Sequence, residues 1–202
     1  GAARDALASF DVGKVADRLV LLEAGRIAAD VFDLLDEGEA LLALFAALSC
    51  NPAIDPVDRF HFADRYVEAL GRGQARAVRD RRIAQALPKA PPGSDLAFRL
   101  ELETRLADLG TKDPEEVRKG IFEMYRGTTD PDRRKALVLV TARRAAAMDQ
   151  EFVLYEFANS WVSWLKRESS ERRYAEALYR SVVVERAYAK LGVGDRRQLL
   201  PA

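Results

Sequence analysis

The chain contains one histidine, His61, and its neighbours in sequence are suited to acid–base chemistry. Asp58 and Asp64 lie three residues to either side, so on a helix both carboxylates are neighbours of the imidazole. An imidazole in such a setting can act as a general base or a pH switch. No nucleophile or second ligand at a defined spacing completes a triad or a metal site. We therefore expect a surface or boundary histidine, and we predict no catalytic residue, metal or cofactor.

The acidic run at 33–37 is the second place where chemistry is conceivable. It resembles the carboxylate cluster with which all-α isoprenoid synthases hold magnesium against diphosphate. Asn159, Ser163 and Glu168 loosely resemble the second metal site of those enzymes. Glu168 is out of phase by one residue, about 100° around a helix, so the match fails in detail. We interpret the run as a solvated helix end.

Cys50 is the only cysteine, which excludes an internal disulfide framework and a multi-cysteine metal site. It ends an apolar segment just before Asn51-Pro52, where the negative end of a helix disfavours a thiolate. A structural, mostly buried thiol is therefore expected. One thiol, no signal peptide and no apolar run of about 18 residues predict a soluble cytoplasmic protein. Export without a signal peptide is the alternative.

Opposite charges are concentrated in two segments, although Lys+Arg and Asp+Glu both number 32. Segment 23–39 contains six acids and one base, whereas segment 72–89 contains six bases and one acid. Four arginines of the second segment are candidates for binding phosphate or an acidic protein face: Arg72, Arg76, Arg79 and Arg82. The spacing predicts that the first three share one helical face. Solvation, or internal pairing with 23–39, is the other interpretation.

The segment from 152 to 164 is rich in aromatic residues, and Tyr155, Trp161 and Trp164 are the candidates for contact with a partner. Apolar residues there occupy more than one helical face. Such a helix is either central in the core or covered by another molecule as well. Nucleic acid is a less favoured partner than protein, because no aromatic residue is interleaved with the arginines of 72–89.

The elements that must position these residues are helical almost throughout, because Ala, Leu, Arg and Glu dominate and no period-2 alternation appears. Three Asp-Pro pairs, at 55–56, 113–114 and 130–131, are typical of helix starts. We predict helices at 3–23, 26–36, 39–49, 56–70, 74–87, 95–109, 114–126, 131–147, 150–167 and 171–191. One long helix over 131–166 is the alternative to a break near 148–149.

The proline-rich segment 88–93 interrupts this helical pattern, because prolines favour extended chain. We expect an all-α multi-helix bundle of about nine or ten helices, with subdomains at 1–88 and 94–202 or a single domain. The favoured function is a non-catalytic protein–protein interaction module (adaptor, regulator, chaperone or secretion-control component) that binds another protein or itself. The alternative is a small-molecule binder or enzyme with an inter-helix cavity, using His61, the carboxylates at 33–37 or Tyr155.

Overall fold

The computed structural model describes residues 17–108 and 111–147, and within these ranges it contains helices but no strand. The α-helices are α1 (Arg18–Leu34), α2 (Gly38–Ser49), α3 (Pro56–Gly71), α4 (Arg76–Ala86), α5 (Asp95–Ala107), α6 (Pro114–Gly127) and α7 (Pro131–Ala147). A short 3-10 helix, Leu87–Lys89, follows α4. The all-α fold class is confirmed. The helices predicted at 150–167 and 171–191 lie outside the described residues.

The chain forms two compact units, 1–107 and 108–202. The proline-rich segment 88–93 lies inside the first unit, where it joins α4 to α5. These two helices pack against each other, and both pack against α3. The predicted division into subdomains 1–88 and 94–202 stays a prediction. In the structure, the segment between them connects two helices of one unit.

Helix α1 runs without a break through Gly25, where the sequence predicts two helices at 3–23 and 26–36. Gly25 is buried, and a Cβ atom there would lie 2.8 Å from Cδ1 of Leu48. The glycine therefore allows α1 to approach α2 closely, and the prediction of a helix break was wrong. Asp17 caps the start of α1 by accepting a hydrogen bond from the Val20 N–H at 3.1 Å.

The end of α1 is formed by Asp36, and Gly38 is the first residue of α2. Asp36 has φ of 56°, in the left-handed region that glycine usually occupies at this position. The Glu37 N–H donates to the Phe32 carbonyl at 2.9 Å, and the Asp36 N–H donates to the Asp33 carbonyl at 3.2 Å. These two bonds make a Schellman motif, which satisfies carbonyls that the helix end leaves free.

Helix α3 is the centre of the first unit, because it contributes to both of its apolar clusters. Phe62 joins α1 and α2 and stacks on Phe45 with ring centroids 6.4 Å apart. Val67 and Leu70 face α4 and α5. Beside Phe45 and Phe62, the first cluster contains Leu21, Ala28, Phe32, Leu41, Leu44, Leu48 and Ile54. The second also contains Ala63, Ile83, Ala86, Leu96 and Leu100.

Local capping chemistry places several helix starts where the sequence predicts them. The Asp113 side chain accepts from the Glu115 N–H at 3.1 Å, and Asp130 accepts from the Asp132 N–H at 2.8 Å. At the start of α5, the Ser94 hydroxyl accepts from the Ala97 N–H at 3.1 Å. These bonds satisfy backbone donors that have no partner within the helix.

Asp55 is the exception, because its carboxylate makes no capping bond to α3. Instead Arg18, the first residue of α1, forms ion pairs with Asp55 and with Asp58, the latter at 3.0 Å. The start of α1 is thereby tied to the start of α3.

In the second unit, α6 presents an apolar stripe at Val117, Ile121 and Met124, all buried. Thr128 ends α6 and donates from its hydroxyl to the Met124 carbonyl at 2.8 Å. The Arg134 guanidinium of α7 lies 5.1 Å from the centroid of the Tyr125 ring, a cation–π contact between the two helices. Among the described residues of both units, no helix is long and apolar enough to cross a membrane.

Candidate functional site

Arg72 does not share a helix with the other candidate arginines, so the predicted common face of Arg72, Arg76 and Arg79 is wrong. It follows the last residue of α3, and Gly73, with φ of 65°, turns the chain before α4 begins at Arg76. The Arg72 guanidinium forms an ion pair with Asp33 of α1. This contact is the pairing with segment 23–39 that the charge pattern indicates.

The other three arginines, all on α4, bind partners inside the first unit. Arg76 donates to the Ala107 carbonyl at the end of α5, at 2.8 Å. Arg79 forms an ion pair with Glu103 of α5, and Arg82 donates to the Leu70 carbonyl of α3 at 3.2 Å. The arginines therefore join helices, and their binding of an external partner stays a prediction without a contact to support it.

A buried ionic network lies where α3, α4 and α5 meet, centred on Glu103, which is 2% exposed. Arg99, 7% exposed, donates to Glu103 at 2.7 Å and also to Asp64 of α3. Burial raises the pKa of Glu103, but the charges and hydrogen bonds of Arg99 and Arg79 outweigh it and hold that pKa below its ordinary value. The network therefore holds a charged carboxylate in the interior.

A cleft of about 310 Å³ opens between the end of α1, the start of α2 and the end of α3. Its apolar floor includes Phe32 and Leu41. The charged side chains around it have both signs: Asp33, Asp36, Glu37, Glu39, Arg72 and Arg82. The acidic run at 33–37 thus lines a cavity, and arginines from two other helical segments reach the same cavity.

Tyr66 of α3 packs against both apolar clusters. Burial, together with the negative charge of Glu39, raises the pKa of the Tyr66 hydroxyl, and Arg82 opposes this with a smaller effect. A phenol with a raised pKa stays protonated at neutral pH. It can donate or accept a hydrogen bond there but offers no phenolate nucleophile.

His61 is exposed on α3, as expected for a surface histidine. Its two flanking carboxylates are bound elsewhere, because Asp58 pairs with Arg18 and Asp64 pairs with Arg99. An acid–base pair of His61 with either aspartate is therefore not assembled in the structure.

Cys50 is half-buried at the end of α2, with its sulfur 3.9 Å from the Ser49 hydroxyl oxygen. Its position at a helix end agrees with the sequence prediction, although its burial is only partial. The candidates Tyr155, Trp161 and Trp164 lie outside the described residues, so their role in partner binding stays a prediction.

Among the described residues of the first unit, one face of α1 exposes large apolar side chains, and we call it the outer stripe: Val20, Ala24, Ile27, Val31 and Leu34. At about 100° per residue, these five positions lie within roughly 80° of one another. Val20, Ile27 and Leu34 are 52%, 53% and 85% exposed. The buried stripe of α1 lies roughly 110° further round the helix and packs on α2.

Sequence reasoning missed the outer stripe, although the pattern that indicates it is present. Two apolar rows with alternating spacings of four and three residues lie side by side in α1. The buried row begins at Leu21 and the outer stripe begins at Val20. A helix that is apolar over so much of its circumference needs more than one covering surface.

Among the described residues, no three His, Cys, Asp or Glu side chains are placed to hold a metal ion together. The cleft and the outer stripe are two features of the described first unit that offer a ligand or a partner a surface. The sequence matches no protein-family model, and no curated protein or solved structure is similar to it.

Proposed function

We propose that this protein is a non-catalytic interaction module, an adaptor or regulator, and that the outer stripe of α1 is the docking surface of its first unit. The observation that carries the proposal is the exposure of Val20, Ile27 and Leu34 on a helix whose other apolar face is already packed. Covering apolar surface is favourable by about 25 cal/mol per Å². A second molecule that covers this stripe therefore gains binding free energy.

The dimensions of the stripe favour a small partner element. A helix of 17 residues is roughly 25 Å long and 10 Å wide. One face of such a helix is far smaller than the roughly 800 Å² per partner of a standard stable interface. A single helix laid along α1 fits this size, and reversible binding fits an adaptor or regulator.

An enzymatic function has less support from the described residues. His61 is exposed, and the carboxylates beside it are paired with arginines. Glu103 is charged and enclosed by Arg79 and Arg99, so it serves as a partner for them. A cytoplasmic location, inferred from the single thiol, belongs to the same proposal.

The cleft supports a second candidate function, binding of a small dipolar molecule. Carboxylates and arginines face the same space of about 310 Å³ above an apolar floor. A thermal-shift screen of the full chain with zwitterionic compounds tests it. A hit supports the candidate when Arg82→Ala removes the shift and Arg105→Ala, outside the cleft, does not. A shift that both variants retain contradicts it.

The docking proposal is tested by selecting helical peptides from a displayed library against the full chain. The variant carries Ile27→Gln and Leu34→Gln, which keep helix propensity but remove the apolar side chains. We expect most independent binders to lose at least about tenfold in affinity for this variant. The matched control is Val78→Gln, which changes an exposed apolar residue of α4 and is expected to keep the binders.

Two results would contradict the proposal. One is a set of binders that the double variant retains as well as the Val78→Gln control does. The other is a large fall in the melting temperature of Ile27→Gln, similar to that of Ala28→Gln at a buried position. Exposed substitutions usually change stability by less than about 0.5 kcal/mol, so that fall would mean that the stripe is already packed.

A further inference from the structure

We infer that the partner of the outer stripe is an amphipathic helix with basic residues along one border. These basic residues form ion pairs with Glu23 and Asp30. This inference rests on the proposed function. It names the chemistry of the partner from three features of α1: the spacing of its exposed apolar residues, the charges beside them, and the poor fit of a second copy.

The spacing of the outer stripe is that of a coiled-coil seam. Its members follow one another at intervals of four, three, four and three residues. This interval keeps apolar side chains facing one partner helix, whose own side chains insert between them. The stripe is therefore suited to a helix rather than to an extended strand or a flat surface.

Two carboxylates border the stripe on the side away from the buried face of α1. Glu23 and Asp30 are seven residues apart, so they lie one above the other, roughly 60–80° from the centre of the stripe. Both are exposed, and neither forms an ion pair or hydrogen bond with another described residue. By contrast, Asp33 pairs with Arg72 and Asp64 pairs with Arg99.

Unpaired carboxylates beside a coiled-coil seam occupy the positions that select a partner by charge. A helix with Lys or Arg at a matching interval of seven residues would pair with both of them. Arg26 lies three residues after Glu23 and four before Asp30, a spacing at which helix side chains are neighbours, but the described residues contain no ion pair between Arg26 and either carboxylate.

A second copy of this chain fits the border poorly. In an antiparallel pair centred on Ile27, Glu23 of one copy would lie beside Asp30 of the other, where like charges repel. In a parallel pair, the acidic border would face the side of α1 that contains Leu21 and Ala28, which already pack in the core. A helix from a different protein, with basic residues along its border, can both cover the outer stripe and pair with Glu23 and Asp30.

The test uses two synthetic helices with the same apolar seam, one bordered by Lys and the other by Glu. Both are titrated onto the full chain by fluorescence anisotropy at low and high salt. At low salt, we expect the Lys-bordered peptide to bind about five- to tenfold more tightly than the Glu-bordered peptide. This preference should be smaller at high salt, because salt screens exposed ion pairs. The double variant Glu23→Lys, Asp30→Lys should reverse the preference.

Glu68→Lys is the matched control, because Glu68 is an exposed acid on α3 and this change should leave the preference intact. Equal binding of the two peptides, or a preference that survives the double variant, overturns the inference and leaves the docking surface standing. Failure of both peptides to bind overturns the docking surface as well, as does binding that Ile27→Gln does not weaken.

Discussion

Replacing Arg99 by Met is expected to lower the free energy of unfolding of the first unit by about 3 kcal/mol. Removing one partner of a buried ion pair costs about 3–5 kcal/mol, because the remaining charge stays in the interior. The remaining charge here is Glu103, which is 2% exposed. Arg79 still pairs with it, and Asp64 is open enough to be hydrated. We therefore expect the lower end of that range.

Arg105→Met is the matched control, since Arg105 also lies on α5 and pairs with a glutamate four residues away, Glu101, at 2.8 Å. The Arg105 side chain is 38% exposed, and exposed pairs of this kind contribute only about 0.3–0.5 kcal/mol. Urea unfolding of the full chain, followed by circular dichroism, measures both variants. If Arg99→Met and Arg105→Met lower the free energy of unfolding equally, burial of the Arg99 ion pair does not determine its contribution to stability.

The same network predicts a dependence of stability on pH. The pKa of Glu103 is lowered in the folded state, so its contribution is complete above its ordinary pKa of 4.5 and is lost as pH falls through the folded value. Without Arg99, one of the two charges that lower this pKa is gone, and the pKa of Glu103 rises. The difference in free energy of unfolding between wild type and Arg99→Met should therefore be largest near pH 7 and should narrow as the pH falls below 4.5. A difference that is constant over this range would contradict the assignment.

Three backbone positions give further predictions, all measured by urea unfolding. Gly25→Val should lower the free energy of unfolding by about 1–3 kcal/mol, because the larger side chain overpacks against Leu48. Gly38→Ala should leave this free energy nearly unchanged, because a Cβ atom there meets no atom within 4 Å. Equal effects at the two glycines would contradict the close approach of α1 and α2. Asp36→Gly should raise stability by up to about 1 kcal/mol, because glycine adopts a positive φ without strain. A loss of stability would mean that the Asp36 side chain contributes more than its backbone conformation costs.

Helix starts were predictable because their chemistry is local. Asp113 and Asp130 each precede a proline, and the proline restricts the backbone while the carboxylate binds the first free N–H groups. The starts of α6 and α7 and the end of α6 therefore agree with the sequence prediction to within one residue. In both helices, the Asp-Pro pair and the first helical turn that it stabilises lie within four residues of each other in sequence.

The errors arose where a contact distant in sequence decides the structure. Gly25 looks like a weak helix break until Leu48 is brought against it. Arg72 looks like part of the next helix, but Gly73 turns the chain before that helix begins. The spacing of Arg99 and Glu103 is visible in the sequence, whereas their burial depends on how α3 and α4 pack over α5.

The candidate site was predictable only in part. The acidic run at 33–37 was recognised, but its position on a cleft shared with Arg82 depends on how the helices meet. The outer stripe has a sequence signal in the two apolar rows of α1, and only the packing of α2 decides which row is left uncovered.

The exposure of the outer stripe beside a packed face of α1 is tested by the accessibility of two adjacent residues of this helix. In a Cys50→Ala background, the rates of maleimide labelling of Ile27→Cys and Ala28→Cys are compared in the native full chain. Ile27 is 53% exposed and Ala28 is 1% exposed. An exposed thiol reacts at close to its unfolded rate, and a buried thiol reacts only when the structure opens. We expect fast labelling at position 27 and strong protection at position 28, whereas equal protection of both would mean that the outer stripe is not exposed.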